Sequence, residues 1–283
     1  MARVQAMSMA VIGAGNWGGS LIAALRAAGS EPCEVIGRSD WRRPRLDAQV
    51  IWICVPDAAI AEVAGKIARR CERLPGEQGM RGHIVVHSSG ALSAEVLDAT
   101  RRAGANIAAV HPVMSFPSRR VVPLAGVMFG IEAREAAVRR KLFALTRRLG
   151  GVPFAVKAEG KALYHAAGVM ASPLLVSALL AATETARLAG LDHATSEAWV
   201  RALAEATAAN VFARGPQASF SGPFARGDAD TIHLHLQALA EHPILADVYR
   251  SLARHAVAAL PVKNRDALLK AIESDAGGGH TLK

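Results

Sequence analysis

The sequence predicts two domains, the first an α/β domain built on a doubly wound parallel sheet and the second an all-α domain. Short apolar runs alternate with helical periods as far as Val156, and from Lys157 onward only helical periods remain. The 283 residues suffice for two domains of ordinary size. Strands that alternate with helices are joined by right-handed crossovers and form a parallel sheet. We therefore expect one domain at 1–156 and another at 157–283, with a disordered tail from about residue 274.

Apolar runs of strand length recur through the first domain. One of them, Val50–Val55, is apolar throughout, as expected of a parallel strand that is covered on both faces. The predicted strands are Met9–Ile12, Cys33–Ile36, Val50–Val55, His83–His87, Asn106–Val110, Val127–Ile131 and Val152–Val156. Helical periods between them predict helices at Gly18–Ala28, Ala58–Cys71 and Arg134–Leu149. Ser93 is suited to cap a further helix that ends near Gly104.

The second domain is predicted to consist of apolar helices without strands. Its most apolar run, Ala166–Ala182, is interrupted by Ser172, Pro173 and Ser177, which favours a buried helix over a membrane span. We therefore expect no contact with a membrane. The predicted helices are Gly160–Leu188, Ser196–Phe212, Asp230–Leu239 and Ile244–Leu260.

Composition favours a globular protein that handles small anionic molecules. Hydrophobic residues make up 51% of the chain and charged residues 20%, which is enough apolar material for a core. The net charge is +9, but the basic residues are not interleaved with aromatic ones, so a small anionic substrate is a better prediction than nucleic acid. The three cysteines show no metal-ligand spacing. We expect a cytoplasmic protein with reduced thiols, no bound metal and no signal peptide.

A glycine motif follows the first predicted strand and opens the first predicted helix. Its residues are Gly13, Ala14, Gly15, Asn16, Trp17 and Gly18, which form the pattern G-x-G-x-x-G. In this context Gly13 permits a tight turn, Gly15 lets the backbone approach a pyrophosphate, and Gly18 lets the helix pack on the strand. The helix N-terminus supplies amide donors for the phosphates. The sequence therefore predicts an α/β Rossmann domain that binds a dinucleotide through these six residues.

The end of the second strand discriminates between the two nicotinamide dinucleotides. NAD-preferring sites usually place an acidic residue there to bind the ribose hydroxyls. This strand is instead followed by Arg38 and Ser39, with further arginines close behind. A guanidinium binds a 2′-phosphate bidentately, whereas an acid would repel it. We therefore predict NADP, with Arg38 and Ser39 among its contacts, while Asp40 keeps NAD as an alternative.

Further residues at the carboxyl ends of the strands are candidates for the same crevice, because parallel strands present these ends to the ligand. Val55 and Pro56 end the third strand and are predicted to contact the cofactor. An alternative is that these segments are strand-to-helix turns without a ligand. The predicted substrate-binding residues at this edge are Ser88, Ser89, His111 and Ser115.

The helix that begins near Gly160 carries the candidate chemistry. Lys161 and His165 are four residues apart and so share a face, and Ser172 falls on the same stripe almost three turns from Lys161. Gly168 leaves space between them. Hydride transfer to a carbonyl needs a proton donor, and Lys161 or His165 is suited to supply the proton. The alternative is a surface lysine with a hydrogen-bonded histidine. Ser172 is predicted to bind substrate.

The order of several motifs resembles a known family, the Rossmann-like proteins whose C-terminal half is domain of unknown function 2520. The resemblance runs from Met9 to about Leu260. The motifs that carry it are Gly13-x-Gly15-Asn16-x-Gly18, Val55-Pro56-Asp57, His87-Ser88-Ser89-Gly90, His111-Pro112 with Ser115-Phe116-Pro117, Tyr164-His165-Ala166-Ala167, and Ser221-Gly222-Pro223 with Arg226-Gly227-Asp228.

The resemblance carries expectations about architecture and activity. The family is similar to 6-phosphogluconate dehydrogenase, β-hydroxyacid dehydrogenases and ketopantoate reductase, which implies a helical C-terminal domain, a cleft between domains and a homodimer. Lys161 and His165 resemble the Lys-x-x-x-Asn pair of β-hydroxyacid dehydrogenases, although the Asn is not matched. The main hypothesis is an NADP-dependent oxidoreductase that reduces a small oxo acid. The alternatives are an imine or deazaflavin-linked reductase of the same superfamily and a non-catalytic dinucleotide-binding sensor or scaffold.

Overall fold

The computed structural model describes residues 7–30, 32, 34–37, 46–72 and 79–274, and it divides into two compact units between Val169 and Met170. The predicted boundary near Val156 is therefore too early. The reason is that the helix after this point directs Lys161, Tyr164 and His165 toward residues of the sheet. Arg38, Ser39, Cys33 and the tail predicted to be disordered lie outside the described residues.

The first unit is built on one seven-stranded sheet with the strand order β2-β1-β3-β4-β5-β6-β7. All seven strands lie where the sequence predicts them, to within one or two residues at most ends. The strands are β1 Met9–Ile12, β2 Glu34–Ile36, β3 Val50–Ile53, β4 Ile84–His87, β5 Asn106–Pro112, β6 Met128–Ala133 and β7 Val152–Ala155. The helices are α1 Asn16–Ala27, α2 Asp57–Glu72, α3 Asp98–Arg102, α4 Ala136–Arg148 and α5 Lys161–Ala171, with short 3-10 helices at Ala94–Leu97 and Ala158–Gly160.

The sheet is mostly parallel, as predicted, and contains one antiparallel step. Strands β1 to β5 are parallel, β5 and β6 are antiparallel, and β6 and β7 are again parallel to each other. No helix lies between β5 and β6 in the described loop 113–127. Without a crossover helix the chain turns back beside the strand it has just left, and that connection gives an antiparallel pair.

Successive side chains of the buried strands point to opposite faces of the sheet and pack into two hydrophobic cores, one on each face. Met9 and Val11 of β1 pack with α1 and α4, whereas Ala10 and Ile12 pack with α2. The strand order reverses direction at β1, since β2 lies on one side of it and β3 on the other. In open α/β sheets this switch point, at the carboxyl ends of the strands, is where ligands bind.

The second unit is all α-helical, as predicted, and has its own core. Its helices are α6 Pro173–Leu188, α7 His193–Arg214, α8 Pro216–Ser219, α9 Pro223–Arg226, α10 Ala229–Ala238, α11 Pro243–Ala259 and α12 Arg265–Glu273. Helix α12 is absent from the sequence prediction, although Leu268 and Ile272 share one face and are fully buried. Pro173 interrupts the predicted helix 160–188, because it cannot continue the hydrogen-bond ladder, and Ser172 leaves helical geometry at φ −128° and ψ −88°.

The apolar surface of α5 and α6 is exposed, which contradicts the prediction that Ala166–Ala182 is buried. The helical run Ala158–Leu188 is long and apolar enough to cross a membrane, and its most apolar 18-residue window has a mean hydropathy of 1.8 with none of that window buried. The break at Ser172 divides it into helices of 11 and 16 residues, each shorter than the about 20 residues that a span requires. An exposed apolar surface of this kind is also typical of a protein–protein interface.

Candidate functional site

The glycine turn after β1 has the geometry of a cradle for a phosphate group. A Cβ atom at Gly13, whose φ is +96°, would lie 2.5 Å from the carbonyl oxygen of Cys54, and one at Gly18 would overlap the carbonyl oxygen of Gly13. At Gly15, by contrast, a Cβ atom would meet nothing within 4 Å. Gly13 and Gly18 therefore close the turn against β3, while Gly15 faces open space.

The N-terminus of α1 borders this space and has no side-chain cap. Gly15 is the N-cap residue, and the first turn carries no acidic residue. The Asn16 side chain does not cap the helix, since its Nδ2 donates a hydrogen bond to the carbonyl oxygen of Phe116 at 2.8 Å. The first amides of a helix have no partner within the helix. An anion placed beside Gly15 would therefore meet several amide donors and the positive end of the helix dipole.

A crevice of about 320 Å³ opens at the carboxyl ends of β1, β3, β4 and β5. It brings together most of the residues predicted to bind cofactor or substrate. The residues that line the crevice include Gly15, Asn16, Trp17, Val55, Pro56, Asp57, Ser88, Ser89, His111 and Phe116. The predicted residues Ala14 and Ser115 are exposed but do not line the crevice, and Ser172 is exposed in the second unit.

The two serines of the crevice are engaged in internal hydrogen bonds. The Ser88 hydroxyl accepts from the indole Nε1 atoms of Trp17 and Trp52, each at 2.7 Å. The Ser89 hydroxyl donates to Oδ2 of Asp57 at 2.6 Å and accepts from two backbone amides of its own turn. These bonds favour the alternative that the segment is a structural turn. The predicted substrate contacts of Ser88 and Ser89 have no support in this geometry.

His111 is part of a cluster of three rings, of which Tyr164 is the member not predicted as a site residue. Its Nδ1 atom lies 2.7 Å from the Tyr164 hydroxyl, and its ring meets the ring of His165 edge-on at 6.2 Å. Two glycines make room for these rings. A Cβ atom at Gly90 would lie 2.6 Å from Cδ2 of His165 and 2.8 Å from Nε2 of His111, and one at Gly130 would lie 2.5 Å from the Tyr164 hydroxyl. Tyr164 could have been found from its i, i+3 spacing to Lys161.

Burial keeps both His111 and Tyr164 uncharged at neutral pH. Burial lowers the pKa of His111 to about 4, and the charges of Lys161 and His165 lower it further. Burial raises the pKa of Tyr164 to about 12. Both groups therefore hold their neutral forms across the range between these values, and the bond between them joins a phenol to a neutral imidazole.

Lys161 lies in the interior, contrary to the prediction that it shares a ligand-facing stripe with His165. Only 2% of the residue is exposed, and its Nζ atom lies 3.3 Å from Oε2 of Glu132 on β6. Burial lowers the pKa of the lysine, and the charge of Glu132 opposes that shift. The other carboxylate oxygen, Oε1, accepts a hydrogen bond from the amide of Ala94 at 2.9 Å. Lys161 does not line the crevice.

The part of the chain that follows β5 is similar to a known protein family. Residues 127–256 match the family described as domain of unknown function (DUF2520). The resemblance stated from the motifs is thereby confirmed, and the matched region begins at Val127, within the first unit, and continues to α11. No curated protein sequence matches the chain.

Several solved structures share the fold of this chain over nearly its whole length. Protein BF3122 from Bacteroides fragilis has 22% sequence identity and a TM-score of 0.68, over 88% of this chain and 97% of its own. An imine reductase from Myxococcus stipitatus in complex with NADP+ has 19% identity and a TM-score of 0.65, over 94% and 100%. A pyrroline-5-carboxylate reductase from Coxiella burnetii has 16% identity and a TM-score of 0.55, over 95% and 97%. These similarities confirm the Rossmann fold class.

The buried ion pair leads to a stability prediction. Glu132→Gln keeps an acceptor for the Ala94 amide but leaves the Lys161 ammonium without a counter-charge in the interior. Breaking a buried pair in this way typically costs about 3–5 kcal/mol, so we expect a loss of that order in the free energy of unfolding, measured by urea denaturation. Replacing both partners, as Glu132→Gln with Lys161→Met, should recover part of the loss.

The matched control is an ion pair on the surface. Glu62 lies 2.7 Å from Lys66 on α2, and both side chains are largely exposed. Glu62→Gln should leave the denaturation midpoint nearly unchanged, since exposed pairs contribute little. If Glu132→Gln were as mild as Glu62→Gln, the buried pair would not fix α5 to the sheet.

Proposed function

We propose that this protein is an NADP-dependent reductase of a small carbonyl compound. The observation that carries the proposal is the open space at Gly15, which lies at an uncapped helix N-terminus and adjoins a crevice at the switch point of the sheet. A bound dihydronicotinamide would supply a hydride to the substrate carbon. The similar imine reductase from Myxococcus stipitatus is described with NADP+, and a variant of it with NAD+, which supports a nicotinamide dinucleotide as the ligand.

The residues present fit such a cofactor. The amides at the start of α1 would bind the pyrophosphate, since Gly13 and Gly18 close the turn and Gly15 leaves the approach open. Val55 and Pro56 line the same crevice and would pack against the bound molecule. Arg38 and Ser39, which lie outside the described residues, remain the predicted contacts of a 2′-phosphate.

The substrate class follows from charge, and the alternatives follow from the comparisons. The net charge of +9 attracts anions, so a small 2-oxo acid is the first class to test. Imines are the second class, because two of the similar structures are described as an imine reductase and a pyrroline-5-carboxylate reductase. The test is NADPH oxidation with panels of 2-oxo acids and cyclic imines. Tight NADPH binding without turnover of either panel would favour a non-catalytic sensor.

We further propose that the protein is a homodimer held by the exposed apolar faces of its helices. Leu174, Val176 and Leu180 of α6 are 52%, 65% and 56% exposed, and Trp199 and Leu203 of α7 are 53% and 57% exposed. Such a surface is large for a monomer in water. A closed two-fold dimer is the commonest arrangement that would cover it.

The glycine turn provides a prediction about cofactor affinity. Gly15→Val should place a branched side chain where the pyrophosphate must approach the backbone, so NADPH binding should fall sharply while the far-UV circular dichroism spectrum is kept. Gly160→Val is the control, because a Cβ atom at Gly160 also meets nothing within 4 Å, and it should bind NADPH normally. If Gly15→Val bound NADPH with unchanged affinity, the glycine motif would be a structural turn that does not bind the cofactor.

The arginine after β2 provides a prediction about cofactor choice. The unmodified protein should bind NADPH more tightly than NADH, and Arg38→Ala should narrow this gap by about 1–3 kcal/mol, the strength of a hydrogen bond to a charged group. Isothermal titration calorimetry measures both affinities. The exposed Arg214 at the end of α7 offers a charge-matched control, since Arg214→Ala should leave the gap unchanged. Tighter binding of NADH by the unmodified protein would contradict NADP as the cofactor.

The apolar helices provide a prediction about assembly. Light scattering at micromolar concentration should give about twice the 29.7 kDa mass of one chain. Leu180→Glu should shift the mass toward that of one chain, because it places a charge in the proposed interface. Val121→Glu alters an exposed apolar residue of the first unit and should leave the mass unchanged. A single-chain mass for the unmodified protein would exclude the dimer.

A further inference from the structure

The hydrogen bond between His111 and Tyr164 points to a route for the proton that carbonyl reduction requires. Nδ1 of His111 is held by the Tyr164 hydroxyl at 2.7 Å. The same imidazole lines the crevice that contains Gly15 and Pro56. Among the described residues, Nε2 of His111 has no hydrogen-bond partner. We propose, on the basis of the proposed reductase function, that Nε2–H of His111 protonates the substrate oxygen and that the Tyr164 hydroxyl replaces this proton through Nδ1.

The proposed relay requires one of the two neutral tautomers of His111. A neutral imidazole has one N–H and one acceptor nitrogen. When the Tyr164 hydroxyl donates to Nδ1, the imidazole proton is on Nε2, the nitrogen that lies nearest to Gly90. A neutral imidazole N–H is able to act as the electrophile toward a carbonyl oxygen. His111 therefore needs no imidazolium form to deliver a proton.

The proton and electron changes balance without a further reactant. The carbonyl carbon gains a C–H bond and two electrons from the hydride that the proposed cofactor supplies, and the π pair of the C=O bond moves to oxygen. That oxygen takes the proton of Nε2, while Nδ1 takes the proton of the Tyr164 hydroxyl. The starting state is restored when Nε2 takes a proton from water and Nδ1 returns its proton to the tyrosinate, so each turnover consumes one hydride and one solvent proton. The transfer is downhill, because an alkoxide is a stronger base than a tyrosinate, even though burial raises the pKa of Tyr164 to about 12.

The surroundings favour this pair over Lys161 as the source of the proton. The Lys161 ammonium is turned into the interior and lies 3.3 Å from the Glu132 carboxylate, so donation would leave that carboxylate unpaired. His165 meets the His111 ring edge-on, but it forms no hydrogen bond to Tyr164 and does not line the crevice. The titratable groups that face the His111 ring are Asp57, His87, Lys161, Tyr164 and His165.

A first experiment tests the tautomer in the protein without cofactor or substrate. Nitrogen-15 NMR of the His111 ring should show a proton on Nε2 and an unprotonated Nδ1 from pH 5 to 8, with protonation only near pH 4, where burial places its pKa. Tyr164→Phe should remove the shift that the hydrogen bond imposes on Nδ1. Tyr249→Phe is the matched control, since Tyr249 makes a similar bond to Nδ1 of His235 in the second unit at 2.9 Å. A proton on Nδ1 of His111 would overturn the proposal.

A second experiment tests the role in turnover, with NADPH oxidation by the best substrate of the 2-oxo acid panel. Tyr164→Phe should lower kcat about 10²–10⁴-fold, the usual contribution of general acid catalysis, with NADPH affinity unchanged. The unmodified enzyme should show a flat kcat between pH 5 and 8. In Tyr164→Phe only the imidazolium form delivers a proton, so kcat should rise as the pH falls toward about 4. Tyr249→Phe should behave like the unmodified enzyme.

The outcomes separate this inference from the reductase function on which it rests. Turnover by the unmodified protein that Tyr164→Phe leaves intact would exclude the relay and keep the reductase. A loss of kcat without the new pH dependence would assign Tyr164 a structural role and overturn the relay as well. No turnover with either panel would overturn the reductase function itself, whatever the NMR result shows about the tautomer.

Discussion

The buried carboxylate of Glu132 is the contact on which the candidate site depends, because it joins three elements of the first unit. The residue belongs to β6, its Oε1 accepts from the amide that begins the 3-10 helix Ala94–Leu97, and its Oε2 faces the ammonium of Lys161 at the start of α5. Two charges in the interior lose their hydration, so such a pair stabilises a fold weakly at best. The pair has a stronger effect on the orientation of α5. Any other orientation of this helix would leave the buried Lys161 ammonium without its counter-charge, which would raise the free energy of the fold.

The position of α5 matters because the three rings of the cluster have little spare room. Tyr164 reaches over Gly130, and His165 and His111 both approach Gly90. A methyl group at either glycine would lie within 3 Å of these rings. The His111 ring is therefore confined by Gly90 on the side of Nε2 and by Tyr164 on the side of Nδ1. Its Nδ1 atom is hydrogen-bonded to Tyr164, and its Nε2 atom is available to a ligand in the crevice.

The sequence predicts this architecture well wherever a local pattern decides it, and less well wherever a distant residue does. The seven strands and the glycine turn depend on apolar runs and on the order of elements, which a single sequence shows. The i, i+4 spacing of Lys161 and His165 correctly places them on one helix, but it does not reveal that Glu132 lies opposite Lys161 and turns its amine inward. The same limit explains Ser88, whose hydrogen bonds come from Trp17 and Trp52 on other elements. Helix α12 differs from these cases, because the i, i+4 spacing of Leu268 and Ile272 is a local pattern that by itself indicates a helix with one buried face.

The antiparallel pairing of β6 with β5 explains how β6 contributes to both the ion pair and the ring cluster of the site. Gly130 and Glu132 are two residues apart and therefore point to the same face of the sheet. Their contacts on α5 are Tyr164 and Lys161, which are three apart and share a face of the helix. Two residues of a strand span about 6.8 Å and three residues of a helix span about 4.5 Å. The side chains of α5 are long enough to make up the difference between these two spacings. Because β6 is antiparallel to β5, Gly130 pairs with His111, so the Tyr164 hydroxyl above Gly130 also lies within reach of the imidazole.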